Sequence, residues 1–234
     1  TVSLSETLQV SDVKSSTTSL LAVDAETDGD VFTELDRARG VDTFVIGSST
    51  YAIVTAEQDD GVQIIDISDP TDIVAKDAET DGSNGFTELD RARGVETFVI
   101  GSSTYAIVAA RNDDGVQIID ISDPTNIVAK DAETDGQNGF TRLNGAMSVD
   151  SFVIGSNTYA IVAARDDNGV QIIDVSDPTN IVAVDAETDG SNGFTELNVA
   201  VFVETFTIGS STYAIVKSKD DNGVQIIDIS DPTN

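Results

Sequence analysis

The side chains in this sequence that could do chemistry are carboxylates at a fixed spacing. Asp77, Glu79 and Asp81 alternate, Gly82 follows and Glu88 comes later, so acids occupy positions 1, 3, 5 and 12 with glycine at 6. This is the spacing of a calcium loop. Alternate oxygens converge, glycine permits the sharp turn, and the last glutamate closes the shell through both oxygens. Asp185, Glu187, Asp189 and Glu196 repeat the set in full. Asp131, Glu133 and Asp135 repeat its front half, with Arg142 where the closing acid would stand. Asp24, Glu26 and Asp28 begin a loop one residue shorter, which puts Glu34 at position 11. The expectation is calcium, above all in the 77–88 and 185–196 loops. The competing reading is that Thr-Asp-Gly makes a turn on an acidic, salt-adapted surface.

Paired carboxylates can also hydrolyse glycosides. Such a site needs two acids in unlike environments, and acids that recur copy after copy do not supply them. The chain has no Cys, His or Trp. Thiolate chemistry and disulfides are therefore absent, and so is the commonest general base and transition-metal ligand. The expectation is a protein that is not an enzyme.

The remaining polar groups read mostly as architecture. Asp113-Asp114-Gly115 has the composition of a hairpin turn that needs φ > 0. Asp120 and Asp123 flank a Pro turn and should bond its amides. Arg37 with Arg39, and Arg91 with Arg93, should pair with the abundant carboxylates. Residues 36–40 and 90–94 carry Asp-Arg-Ala-Arg-Gly, whereas residues 144–148 and 198–202 are uncharged and include Met147 and Phe202. A specific ligand site, if the chain has one, should lie where the copies disagree in this way. The competing reading is drift at a tolerant edge.

What must position these groups is a repeat. Phe44, Phe98, Phe152 and Phe206 open the same phrase at intervals of 54, and Pro70, Pro124, Pro178 and Pro232 keep the same interval. Between 98–126 and 152–180 only four of 29 positions differ, so the period is real and should be read before anything else. Each copy contains four strand-like runs, which in the second copy are residues 95–100, 104–111, 116–122 and 127–132. The two middle runs, YAIVAA and VQIIDI, are apolar on both faces, which a sheet exposed on one side would not be. Blades in a ring are covered on both sides by their neighbours. The fold class expected is all-β: a β-propeller of four blades, each of four antiparallel strands. A β-solenoid is the rival, with coils that are usually shorter and lack the hairpin meander.

With 42 acidic and 12 basic residues the net charge is −30, a surface that repels nucleic acid and anionic lipid. No apolar run is long enough to insert in a membrane. Ten of the first 19 residues are Ser or Thr, so residues 1–18 read as a linker or stalk remnant and residues 19–234 as the propeller. The chain opens on Thr1 without an initiator Met, which reads as a mature form or a fragment.

The phrase R-G-V-x-T-F-V-I-G-S-S-x-Y-A-I-V…D-G-V-Q-I-I-D-I-S-D-P resembles the LVIVD repeat of bacterial and archaeal extracellular propellers. Gly101, Tyr105, Ala106, Val108, Gly115, Ile118, Asp120, Ser122, Asp123 and Pro124 carry the resemblance, as do their equivalents in the other copies. It implies a propeller on a large extracellular or cell-surface protein, with no common catalytic set. The function expected is a non-catalytic structural scaffold or adhesion module whose partners are other surface-protein domains or chains. The alternative is a ligand-binding propeller recognising a glycan or peptide at one face of the ring. The last copy stops before its fourth run, while residues 20–25 carry the same sequence at the other end. The expectation is that they pair beside residues 224–230 and close the ring within the chain, with exchange between chains as the alternative.

Overall fold

The computed structural model describes residues 21–233. The linker expected at 1–18 and the first residue of the expected closing strand, Leu20, lie outside that range.

Among the described residues every regular element is a β-strand. The first blade runs β1 (Ala38–Ile46), β2 (Ser49–Ala56), β3 (Gly61–Asp66) and β4 (Val74–Thr80). The second repeats it as β5 (Ala92–Ile100), β6 (Ser103–Ala110), β7 (Gly115–Asp120) and β8 (Val128–Thr134). The third has β9 (Ala146–Ile154), β10 (Asn157–Ala164), β11 (Gly169–Asp174) and β12 (Val182–Thr188). The last has β13 (Ala200–Ile208), β14 (Ser211–Ser218) and β15 (Val224–Asp228). Each blade is an antiparallel meander in chain order, with four strands in the first three and three in the last.

Local chemistry explains the meander. The turn between β1 and β2 passes through Gly47 at φ 64, and its equivalents Gly101, Gly155 and Gly209 lie within two degrees of it. The turn between β2 and β3 takes Asp60 at φ 55, where the second and later copies have Asp114, Asn168 and Asn222, the residue types that best tolerate this region. In each complete blade the third and fourth strands slip register by one, leaving Lys76 or its equivalent bulged out. Lys76 Nζ then reaches Asp66 at 3.2 Å, and Lys130 reaches Asp120 at 3.1 Å.

Apolar layers lie between blades, one at each of the three junctions. Ile53, Val62 and Ile64 of the first blade meet Phe86, Leu89, Val95, Ile119 and Ile127 of the second unit. Equivalent residues fill the next two junctions. This is why the middle strands are apolar on both faces. A stacked Phe–Tyr pair, such as Phe44–Tyr51 at 5.5 Å, fixes the first hairpin of every blade.

Two expectations are corrected. β4 runs through Thr80, two residues beyond the expected end of the run, so Glu79 as well as Asp77 belongs to the strand. Among the described residues ring closure within the chain is not formed: 21–27 carry no strand and β15 pairs only with β14. Residues 21–27 lie at the other end, where Asp24 Oδ2 accepts the Ile73 amide at 2.9 Å, as Asp77 accepts that of Ile127 one blade later. Neighbouring inner strands pack as β1 on β5, β5 on β9 and β9 on β13, but β13 and β1 do not pack in this way. The blades form an open arc.

Candidate functional site

The four acids of each expected loop do not converge on one point. Asp77 accepts the Ala78 amide through Oδ1 at 3.0 Å and the Ile127 amide of the next blade through Oδ2 at 2.7 Å. Asp131 makes the same pair of bonds, to Ala132 and Ile181. Asp185 holds Ala186, and Asp24 holds Ala25 as well as Ile73. Glu79, Glu133 and Glu187 each accept both contacts from one amide nitrogen, that of Asn84, Asn138 and Asn192. Glu26, in the shorter loop, is exposed. Asp28, Asp81, Asp135 and Asp189 accept the amides of Leu35, Leu89, Leu143 and Leu197 at 3.1–3.3 Å. Among the described residues no three acids are placed to hold a metal ion. In this arrangement the first three acids of each set meet backbone and amide donors.

The structure instead gathers a different acidic group at each junction. Glu88 lies against Gly115, so close that any side chain there would collide, and its Oε2 is buried without a hydrogen-bond partner. Burial, together with the charges of Asp113, Asp81, Asp114 and Glu133, pushes its carboxyl up to about 8. Glu34 occupies the same place over Gly61, again with Oε2 buried and unpartnered. Burial and the charges of Asp59, Asp28, Asp60 and Glu79 push it up to about 7. Glu196 covers Gly223 likewise. In the third copy the aliphatic stem of Arg142 covers Gly169, which explains how a cation replaces the acid without loss of the fold.

The turn acids do more than shape a turn. Asp113 Oδ2 accepts the Asp90 amide at 2.7 Å, and Asp114 Oδ1 reaches across to the Gly145 amide of the third blade at 2.8 Å. Asp60 and Asn168 make the same crossing to Arg91 and Val199. As expected, Asp120 and Asp123 accept amides at the Pro turn, from Ser122 and Thr125. Sequence reasoning missed Gln63, Gln117 and Gln171. Each is 1% exposed, takes a loop amide on Oε1 and donates through Nε2 to the outer strand, as Gln117 does to Thr87 and Asp131. A glutamine at the centre of an apolar strand was the available signal.

The inner strands line a channel of about 480 Å³. Asp42, Glu96, Asp150 and Glu204 stand at equivalent positions along it. Asp42 and Asp150 are spent on Thr97 and Thr205 of the following blade, and Glu96 takes the Ser151 hydroxyl at 3.1 Å. Burial, with the charges of Asp150 and Asp42, pushes Glu96 up to about 8. At the channel mouth the expected Arg–carboxylate pairing narrows to one acid. Glu57 is 4% exposed and carries Arg39, Arg93 and, at 4.0 Å, Arg91. Burial opposes its ionisation, but the Arg39 hydrogen bond and the charge of Arg93 outweigh that and hold it below the usual range. Arg93 Nε and Arg111 Nε are buried without partners. Across the channel the lining is Met147, Val201 and an exposed Phe202.

The LVIVD-repeat family model matches residues 47–78, 99–132, 153–186 and 212–234. No curated protein matches the sequence. Among solved structures, an exo-β-1,3-galactanase from Phanerochaete chrysosporium superposes with a TM-score of 0.57 at 11% identity, over 92% of this chain and 52% of that one. A family 117 glycoside hydrolase from the marine bacterium Zobellia galactanivorans gives 0.55 at 9%, over 86% and 72%. A protein of unknown function from Desulfotomaculum acetoxidans gives 0.52 at 13%, over 81% and 55%. The chain thus spans about half the length of the galactanase, and these likenesses concern the fold alone.

Proposed function

The chain belongs to the LVIVD-repeat family, and from that premise we propose that it is a non-catalytic scaffold or adhesion module of an extracellular or cell-surface protein. The observation that supports this reading is where the carboxylates go. The same acid in successive blades holds the same amide, as Asp77 and Asp131 do, and an acid so engaged is a strut. Completion of the fourth blade by a strand of the 20–25 type is part of the reading, since Asp24 already stands in an outer-strand place against Ile73.

The group best suited to acid catalysis is Glu96, raised to about 8 beside other channel acids. A panel of chromogenic glycosides and lactones therefore tests the reading. No turnover is expected, and turnover abolished by Glu96→Gln would overturn it.

Calcium enters as a counter-charge for the junction acids around Glu34 and Glu88. Their mutual repulsion is relieved either by protonation or by a cation, and a ligand that binds only the folded state adds about 2.7 kcal/mol at a hundredfold excess over Kd. The expected outcome is a higher melting temperature in calcium than in chelator at equal ionic strength. Equal melts would confine the acids to bulk salt effects.

The channel mouth supports a second reading, recognition of an anionic glycan or peptide. One carboxylate shared by three guanidinium groups leaves excess positive charge there, across the channel from a half-exposed aromatic ring, in a chain of net charge −30. Cation and aromatic face together suit an acidic ligand with an apolar side. Array binding that is lost in the Arg93→Ala and Phe202→Gly variants is expected on this reading, and binding that survives both would sink it.

A further inference from the structure

In a chain with 42 acidic and 12 basic residues, a cation without a carboxylate stands out. Arg111 is one. Its backbone amide donates to the Arg91 carbonyl at 3.2 Å, which sets it beside Arg91 near the channel mouth. Its Nε is buried without a partner, and among the described residues no carboxylate lies within ion-pair distance of its guanidinium. Glu57 holds the equivalent position in the first blade and engages Arg39 and Arg93, while Arg91 stays at 4.0 Å. Four guanidinium groups are thus gathered with one carboxylate among them. Burial, with the charges of Arg39, Arg111 and Arg91 set against that of Glu57, holds Arg93 below its usual range.

Acids are close by in sequence but turned elsewhere. Asp90 accepts Asn112 Nδ2 at 3.2 Å and faces Asp60, another acid. In the third blade the same two positions are exchanged. Asn144 stands for Asp90 and Asp166 for Asn112, and Arg165 Nη1 lies 3.3 Å from Asp166. The fourth copy has Asn198 and Asp220 in the same exchanged order, with Lys219 next to Asp220. The second blade carries the same acid but withholds it from Arg111. It does so where Arg91 and Arg93 add two more cations, while the third copy has Gly145 and Met147 at their positions.

Glu57 shows how much a carboxylate satisfies here. Its two oxygens engage Arg39 and Arg93, and Arg91 and Arg111 are left over. A sulfate or phosphate ester presents three terminal oxygens in a tetrahedron and meets the planar forks of several guanidinium groups at once. Arg39 and Arg91, at 40% and 43% exposed, keep the group open to solvent. The positive sector is shallow. Asp42 and Glu96 follow Arg39 and Arg93 by three residues on the same strands, about 10 Å further along the channel. Asp150 and Glu204 hold the equivalent positions on the other two inner strands. A peptide with acids along its length is repelled there. A saccharide with one ester keeps its charge at that point and offers hydroxyl donors to the inner carboxylates.

We propose that Arg91, Arg93 and Arg111 bind the sulfate or phosphate ester of a saccharide whose ring extends into the channel toward Asp42 and Glu96. The inference rests on the second reading above and narrows it from an anionic glycan or peptide to an ester-bearing saccharide. The ester takes the place beside Arg111 that Asp166 holds beside Arg165, and Arg39 remains on Glu57. Arg111 gains a counter-charge only when the ligand arrives, so the free chain carries a repulsion that binding relieves.

The test is titration calorimetry of the full chain at low salt with galactose 6-sulfate, galactose 6-phosphate, galacturonate, inorganic sulfate and an acidic phosphoserine peptide. One site per chain is expected for at least one of the two sugar esters, and their ratio tells sulfate from phosphate. Galacturonate, inorganic sulfate and the peptide should each bind at least about tenfold more weakly. Asp90→Asn combined with Asn112→Asp gives the second blade the arrangement of the third, with every arginine and the net charge kept. It should weaken ester binding by about tenfold or more. Arg111→Gln should do the same and melt no lower than the wild type, since it removes a like charge. Arg165→Gln, whose guanidinium already has Asp166, should bind as the wild type does. Ester binding left unchanged by both the exchange and Arg111→Gln overturns the inference, and so does inorganic sulfate bound as tightly as the sugar esters. Galacturonate or the peptide bound as tightly, and lost in Arg93→Ala, overturns the inference but leaves recognition of an anion at the mouth. No binding of any anion, by heat or by shift of the melting temperature, overturns the inference and that reading together.

Discussion

Glu57 Oε1 lies 2.7 Å from Nη2 of Arg93, across the junction between the first and second blades. Glu57 is the lone acid at its position, where the later copies have Arg111, Arg165 and Lys219. Removing one partner of a buried ion pair leaves an uncompensated charge, at a cost of about 3 kcal/mol. Glu57→Gln should therefore lower stability by about that amount, and Glu57→Arg should lower it further. Urea unfolding measures both. A loss no larger than that of an exposed ion pair would mean that water screens the cluster.

The buried glutamines provide an internal control. Gln117 is 1% exposed and joins the loop at Thr87 to the outer strand at Asp131. Gln225 has the same sequence neighbours but lies on the open edge. Gln117→Ala leaves buried backbone groups unpaired and should cost about 2–3 kcal/mol, against about 0.5 kcal/mol for Gln225→Ala. Equal losses would show that burial does not decide the difference.

The junction acids set a pH dependence whose sign is fixed by the direction of their shifts. Glu34 and Glu88 are raised to about 7 and about 8 in the folded chain, above an ordinary value of 4.5. The folded state therefore keeps protons that the unfolded state has released, and stability falls as pH rises between about 5 and about 8. Asp66 and Asp120 shift the other way: bonds from their serines and lysines hold them below the usual range, and their contribution is lost only below about pH 4. The melting temperature should peak near pH 5, and Glu34→Gln with Glu88→Gln should flatten its decline toward pH 8. A melt that is level across this range in the wild type would contradict the raised values.

The repeat made the blade readable, and the tertiary junctions made the site unreadable. Strands β6 and β7 fall within two residues of where their apolar runs place them, because both faces are buried by neighbours. The spacing of Asp77, Glu79 and Asp81 points to a chelating loop. In the structure the outer strand continues to Thr80 and a bulge at Lys76 turns Asp77 toward the next blade. No local pattern tells a ligand from a strut when both need an oxygen on an alternating run. The meeting of Glu88 with Asp113 depends on how a loop folds over a hairpin 25 residues away. The missing closing strand was legible as sequence, but where residues 21–27 lie depends on Asp24 finding Ile73.

Val199 holds φ 60, a region that a β-branched residue enters only under strain. It is kept there from both sides: its amide is bound by Asn168 Oδ1 at 2.8 Å and its carbonyl accepts the Lys219 amide at 2.9 Å. The equivalent residue of the third copy is Gly145, at φ 70. Asparagine tolerates this conformation and keeps a side chain, so Val199→Asn should raise stability by about 1 kcal/mol. The reverse change is not symmetrical. A Cβ on Gly145 would lie 2.6 Å from Asp166 Oδ2, so Gly145→Val adds a collision to the strain and should cost about 3 kcal/mol or more. Thermal melts of the two variants beside the wild type read the contrast directly. A Val199→Asn protein that melts at or below the wild-type temperature would show that side-chain packing at this half-buried position outweighs the backbone strain.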